Sequence, residues 1–346
     1  MIKVGIIGAT GYAGAELFRL LTKHPEVEVV KVGSKSYAGE DFVSLYGNMR
    51  DFTESACDDV DLLEYSKECD VIFTATPQGY LGGILTKEVL DNTKIIDLSA
   101  DYRLKDVSVY EEWYKIEHKS PEFLKDAVYG LCEINRDSIK GTKLLANPGC
   151  YTTCSILSSY PLVKEGLVDP NTIIIDAKSG TSGAGRGAKM ANLFCEVNEN
   201  VKAYGVLSHR HTPEIEEQLS YAAGEDIKII FTPHLIPMNR GILVTGYANL
   251  KKKVTKEEVM AAYEKHYKNE EFIRLLPYGT CPETRWVEGS NYTDISFKLD
   301  ERTNRVVFMG ALDNLIKGAA GQAVQNMNLM FGFNENTGID AVPMFP

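Results

Sequence analysis

The chain has 346 residues, 44% hydrophobic and 25% charged, with a formal net charge of −11. That length and composition suit two globular domains or one large one with an ordinary core. The acidic balance argues against nucleic acid as the main partner and against an anionic membrane surface.

No apolar run reaches the ~20 residues of a membrane helix. Seven cysteines lie scattered without a Cys-x-x-Cys pair, a pattern that reads as reduced and intracellular. The first strand candidate begins at Ile2 and leaves no room for a signal peptide, so the expected location is cytoplasmic.

In chain order, Ile2–Ile7 is a short apolar run that reads as a buried parallel strand. A glycine-rich turn follows, then an amphipathic helix over 15–23 stopped by Pro25, then a strand over 27–32. Further strands are expected at 71–75, 94–98 and 143–146, with a helix over 81–90 between the first two. This alternation predicts an α/β fold with a doubly wound, Rossmann-type parallel sheet. After residue 150 the pattern changes. Strands at 172–177, 227–231, 241–248 and 294–299, with helices at 213–221 and 256–267, predict an α+β domain with a largely antiparallel or mixed sheet. A long helix over 314–330 is expected to return to the first domain. The expected division is therefore residues 1–149 with 312–346, and residues 150–311.

The turn after the first strand reads Gly8-Ala9-Thr10-Gly11-Tyr12-Ala13-Gly14. In a strand–turn–helix context, such glycines allow a tight turn and close backbone approach to a pyrophosphate seated on the helix N-terminus. Without a ligand the same pattern is only a glycine-rich turn. Dinucleotide sites for NAD place an acidic residue at the end of the second strand. Here that end reads Ser34-Lys35-Ser36, hydroxyls and a lysine, which suits the 2′-phosphate of NADP.

Asn147-Pro148-Gly149-Cys150-Tyr151 places a cysteine at the start of a helix. The helix dipole and the leading N–H groups there favour a thiolate and can hold an oxyanion. A buried structural cysteine is the competing reading. Cys154, one turn on, reads as packing. His209-Arg210-His211-Thr212-Pro213-Glu214 leads into another helix, with Thr212 as the expected N-cap and Pro213 at the first helical position. His211 is the candidate acid/base, with Glu214 placed to orient its ring; a structural histidine pair fits the same residues. No third ligand lies at zinc spacing, so no metal is expected. Three arginines stand in notable segments. Arg186 ends a Gly/Ser loop containing Ser182 and Gly183, Arg103 follows a parallel strand, and Arg240 precedes Gly241. Arg103 and Arg240 suit carboxylate or phosphate recognition and equally suit structural ion pairs, while the loop ending in Arg186 suits an anion cradle of backbone N–H groups or a mobile surface or interface loop.

These segments, together with Lys317-Gly318-Ala319-Ala320-Gly321, resemble the N-acetyl-gamma-glutamyl-phosphate reductases of arginine biosynthesis. The resemblance runs through nearly the whole chain. It implies a Rossmann-type NADP domain, a substrate and oligomerisation domain, and a homodimer or homotetramer. It further implies NADPH-dependent reduction of an acyl phosphate through a cysteine thioester. Cys150 matches the family nucleophile, His211 the acid/base and Glu214 its neighbour, and Asn314 resembles a nicotinamide contact. The cofactor set is then Gly8, Thr10, Gly11, Tyr12, Ala13, Gly14, Ser34, Lys35, Ser36 and Asn314. The substrate set is Arg103, Asn147, Ser182, Gly183, Arg186, His209 and Arg240. Gln78 departs from the family, which often has histidine there. The alternatives are a related aspartyl- or carrier-bound aminoadipyl-phosphate reductase, or a non-catalytic NADP-sensing protein.

Overall fold

Short β-branched and apolar runs form β1 (Ile2–Ile7), β2 (Val27–Gly33), β3 (Val71–Thr74), β4 (Lys94–Asp97), β5 (Ala127–Tyr129) and β6 (Leu144–Ala146) in the computed structural model, which describes residues 1–345. All pair in parallel, in the order β2-β1-β3-β4-β6-β5. β3 is buried along its whole length, as a strand covered on both faces must be. Around it Ile7, Tyr65, Ile72, Leu81, Val89, Ile95, Tyr102 and Leu144 share one core. The expected helix over 81–90 is instead a 3₁₀ turn, Leu81–Gly83, and a separate helix, Lys87–Asn92. Gly82 and Gly83 weaken a continuous helix. Thr86 starts a new one, its Oγ1 accepting from the Val89 N–H at 3.3 Å. β5, three residues long, is too short to show a period in the sequence.

The remaining strands form a mixed sheet: β7 (Ile174–Ser179), β8 (Lys202–Ala203), β9 (Ile230–Leu235), β10 (Ile242–Asn249), β11 (Ile273–Leu275), β12 (Thr293–Asp300) and β13 (Arg305–Leu312). Their order is β11-β12-β13-β10-β7-β9-β8, with antiparallel pairs at β12/β13, β13/β10, β10/β7 and β9/β8. The Rossmann-type parallel sheet and the mixed second sheet are as the sequence predicts. β13, which the sequence pattern did not reveal, carries Gly310 where an aliphatic residue would be expected. A Cβ there would stand 2.0 Å from Ser158 Oγ, on the helix Cys150–Lys164 that crosses this sheet. Close helix–strand contact, rather than strand propensity, selects the glycine.

The crossing helix keeps Pro161 in its interior. Proline has no N–H to give the Leu157 carbonyl four residues back. The Tyr267 hydroxyl donates to that carbonyl at 2.8 Å, and the Tyr263 hydroxyl donates to Ser158 O at 2.6 Å. Both tyrosines lie on the helix Lys256–Tyr267.

The chain forms two compact units. One comprises Met1–Pro148 and Ala319–Asp340; the other comprises Gly149–Gly318 and the residues from Ala341 onward. The segment 312–318, which the sequence pattern groups with the first domain, thus lies with the second unit. The expected helix over 314–330 begins as a π-helical turn, Ile316–Ala320, and becomes α-helical only over Gly321–Phe331.

Candidate active site

Cys150 is the first residue of the helix Cys150–Lys164. Gly149, its extended N-cap, has no side chain to occupy the helix end (φ −71°, ψ 154°). The intrahelical ladder begins with Thr153 N donating to Gly149 O at 2.9 Å. The N–H groups of Cys150, Tyr151 and Thr152 therefore form the electropositive mouth of the helix, where a thiolate or an oxyanion is stabilised. Cys150 is partly exposed, whereas Cys57, Cys69, Cys132 and Cys154 are buried and Cys195 and Cys281 lie on the surface. Burial pushes the Cys69 thiol up to about 12 and the Cys154 thiol higher still, so neither is a nucleophile near neutrality.

Glu214, 1% exposed, braces this helix start. Its Oε1 accepts from the Gly149 N–H at 2.9 Å and from Thr152 Oγ1 at 2.8 Å. It lies in the first turn of the helix Thr212–Ala223, which packs on the Cys150 helix. His211 occupies the N-cap position of that helix. Thr212, the expected cap, is already helical, and its buried hydroxyl has no hydrogen-bond partner. The cap expectation is therefore corrected by one residue.

Both histidines pack on Tyr151, the neighbour of Cys150. Ring centroids lie 5.6 Å apart for His209 and 5.9 Å for His211, with 4.8 Å between the two imidazoles. Tyr204 completes the group, its hydroxyl 3.1 Å from the Tyr151 hydroxyl, which donates to His234 O. The two imidazoles differ. His209 Nδ1 accepts the His211 N–H at 3.2 Å, which places the His209 proton on Nε2. Burial, with the nearby Arg210 charge adding to it, pushes His209 down to about 4. His209 is thus neutral across the physiological range. The sign for stability follows from a folded-state value below the unfolded 6.5. This stabilisation is present above pH 6.5 and is lost as pH falls toward 4.

The glycine turn has the geometry of a dinucleotide cradle. Gly8 has φ +83°, and a Cβ there would meet Ala75 O at 2.3 Å. A Cβ on Gly14 would meet Gly8 O at 2.2 Å, so helix and strand approach as only glycine permits. Gly11 caps the helix Tyr12–Leu21 with no side-chain hydrogen bond, and a Cβ on it would meet nothing nearer than Gly8 O at 3.5 Å. The N–H groups of Tyr12, Ala13 and Gly14 lead that helix, as a pyrophosphate requires. Thr10 Oγ1 and Ser34 Oγ share a hydrogen bond of 2.8 Å, which ties this loop to the end of β2. Lys35 and Ser36 are exposed there.

Two family models cover most of the chain: "Semialdehyde dehydrogenase, NAD binding domain" over residues 3–142 and "Semialdehyde dehydrogenase, dimerisation domain" over residues 150–314. N-acetyl-gamma-glutamyl-phosphate reductase from Lachnospira eligens is 66% identical over 348 residues, covering 100% of both chains. The chain belongs to the N-acetyl-gamma-glutamyl-phosphate reductase family. Relatives of the same name from Lachnoclostridium phytofermentans and Campylobacter jejuni are 62% and 57% identical, over 100% and 98% of both chains respectively. Among solved structures, aspartate semialdehyde dehydrogenase II from Vibrio cholerae superposes with a TM-score of 0.73 at 16% identity, over 96% of this chain and 99% of that one. The Candida albicans aspartate semialdehyde dehydrogenase with NADP gives 0.70 at 16% identity, over 97% and 99%. At such identities the likeness concerns the fold.

Several residues expected to bind substrate in this N-acetyl-gamma-glutamyl-phosphate reductase family member have structural partners. Arg103 is 7% exposed; its Nε donates to Asn147 O and its Nη2 to Leu98 O, both at 2.8 Å. Asn147 is 1% exposed; its Nδ2 donates to Ala319 O, and its Oδ1 accepts from Asn326 Nδ2, both at 3.1 Å. These hydrogen bonds shape the segment before Cys150. Asn314, expected beside the nicotinamide, accepts from the Gly241 N–H at 2.7 Å and donates to Ser182 Oγ at 2.9 Å. Both ends of its amide thus fix loops of its own unit. Ser182 also donates to Asn239 O at 2.7 Å, and Gly183 folds over Ser179. Arg186 is exposed at the loop's end. Arg240 lies 3.3 Å from Asp313, and its side chain is one-quarter exposed, so it can still turn to an anion.

Sequence reasoning passed over Tyr151, Thr152 and Asp313. Tyr151 closes the segment Asn147-Pro148-Gly149-Cys150-Tyr151, and Thr152 follows it. Their signal was an aromatic and a hydroxyl in the first turn of a helix facing a His-x-His pair.

Proposed function

We propose that the chain reduces N-acetyl-L-glutamyl 5-phosphate with NADPH, releasing N-acetyl-L-glutamate 5-semialdehyde and phosphate, through a thioester on Cys150. The observation that carries this reading is a partly exposed thiol at the mouth of a helix whose first turn is braced by a buried carboxylate. In the first step the Cys150 thiolate attacks the acyl carbon, the carbon–sulfur bond forms, and the carbon–oxygen bond to phosphate breaks. The N–H groups opening the helix hold the carbonyl oxygen as it becomes an oxyanion. Gly8, Gly11 and Gly14, with the N–H groups of Tyr12 and Ala13, would hold the pyrophosphate of NADPH, which when bound supplies the hydride equivalent for reduction to the aldehyde level. His211 gives a proton to the substrate oxygen as that carbon is reduced and takes it back as the carbon–sulfur bond breaks and Cys150 leaves as thiolate; in the reverse direction the same two transfers run backwards. Arg240 and Arg186 suit the anionic ends of the substrate.

The names of the relatives favour the acetylglutamyl substrate over aspartyl or carrier-bound aminoadipyl phosphate, and a reactive site of this kind counts against a purely sensing role. A panel of the three acyl phosphates, read by NADPH oxidation, tests this. Of the three, the acetylglutamyl compound should be turned over most efficiently, by about 10²-fold. Preference for another member of the panel would overturn the substrate assignment.

The cofactor reading rests on Lys35 and Ser36, since Ser34 is turned inward to Thr10. Lys35→Ala should raise the KM for NADPH about tenfold and leave that for NADH unchanged, the worth of one charge-assisted contact to a phosphate. Equal effects on both cofactors would count against a 2′-phosphate site there.

The expected assembly is a cytoplasmic homo-oligomer, dimer or tetramer, built through the second unit. Ile230, Ile174 and Tyr247 lie side by side in register across β9, β7 and β10, exposed by 48%, 41% and 40%. Such an apolar row on a sheet face suits burial against a second copy.

A further inference from the structure

We propose that Gly318 is a positioning residue for Cys150: its missing side chain is what allows the nucleophile to sit at its place in the helix mouth. This rests on the reading of Cys150 as nucleophile. A Cβ built on Gly318 would stand 2.8 Å from Cys150 Cβ, 3.2 Å from Cys150 Cα and 3.3 Å from Leu312 Cδ1. The nearest of these separations is shorter than real Cβ contacts, and the atoms involved belong to or adjoin the Cys150 backbone. Rotating a side chain therefore does not relieve the overlap.

Neither partner is free to retreat. Gly318 sits in the π-helical turn Ile316–Ala320, its N–H donating to Asp313 O at 2.9 Å. Asp313, fully buried, pins that turn: its Oδ1 accepts from the N–H groups of Leu315 at 2.8 Å and Ile316 at 3.2 Å. Its Oδ2 accepts from Gly289 N at 2.9 Å and faces Arg240. On the other side, Glu214 holds Gly149 and Thr152, either side of the cysteine. The wider turn of a π-helix brings its backbone against the thiol-bearing residue, and glycine is the residue that fits. A packed contact of this kind sets the sulfur's place relative to the helix N–H groups, where small displacements cost much rate.

Gly318 does not have the positive φ that favours glycine. Alanine is the better helix former there, so without the Cys150 contact Gly318→Ala should be neutral or stabilising. The test is a double-mutant cycle on thermal stability with G318A, C150G and the pair, together with kinetics of G318A. We expect G318A to lower Tm in the wild-type background and to be neutral or stabilising once C150G removes the opposing Cβ. We also expect kcat of G318A to fall by about 10-fold to 10²-fold with the KM for NADPH unchanged. The pH profile of Cys150 alkylation should shift as well, which a merely structural loss would not cause. If G318A alone fails to fold, the folded G318A/C150G variant against C150G decides the contact. An equal stability cost in both backgrounds, or a folded G318A with wild-type kcat and alkylation profile, overturns the proposal. Failure of the nucleophile reading is separable: it shows as activity retained in Cys150→Ser, which the stability cycle does not involve.

Discussion

Cys150→Ser should abolish reduction, lowering kcat by about 10³-fold or more, while NADPH binding measured by fluorescence stays as in the wild type. Serine keeps the place at the helix mouth but presents a hydroxyl whose anion is inaccessible near neutrality. The helix dipole and leading N–H groups that favour a thiolate do not bridge that gap. The glycine cradle is built from residues 8–14 and 34–36 and does not involve the cysteine. Activity within about tenfold of wild type would remove the thioester from the mechanism. Among the other cysteines, the four buried ones should resist alkylation, leaving Cys195 and Cys281 as surface competitors that peptide mapping separates from Cys150.

His211→Asn should lower kcat by about 10²-fold and erase the limb of the pH–rate profile near neutrality. His209→Asn should keep that limb. The distinction comes from His209's own environment. Burial holds it down at about 4, and its Nδ1 already accepts the His211 N–H, so it carries no titrating proton between pH 5 and 8. Losing that acceptor and the ring contact with Tyr151 should instead move KM and stability. In wild type, stability should decline as pH falls from 6.5 toward 4, and His209→Asn should flatten that decline. A His209 variant without the limb, beside a His211 variant that keeps it, would exchange the two roles.

The parts of this molecule legible in the sequence were those written in local chemistry. The βαβ unit shows itself because its strands are predominantly apolar and the glycines needed for the turn stand at fixed spacing. The helix starts at Cys150 and Thr212 were legible because Gly149 and Pro213 mark the boundary. What stayed hidden depends on distant partners. Arg103 and Asn147 bond backbone carbonyls and Asn326, and only folding brings those groups together. Glu214 was expected to orient an imidazole from its spacing of three. Its hydrogen bonds to Gly149 and Thr152 cross more than sixty residues. β13 was concealed by Gly310, whose cause is a helix 150 residues earlier, and the π-turn around Gly318 has no periodic signature at all.

The thioester route requires a covalent acyl group on Cys150. The direct measurement mixes the enzyme with N-acetyl-L-glutamyl 5-phosphate in the absence of NADPH, quenches in acid and maps the adduct by peptide mass spectrometry. One N-acetylglutamyl group is expected on the peptide carrying Cys150, discharged when NADPH or excess phosphate is added before the quench and absent from Cys150→Ser. An acyl group found on another residue, or an unmodified Cys150 peptide in an enzyme that turns over once NADPH is restored, would contradict it.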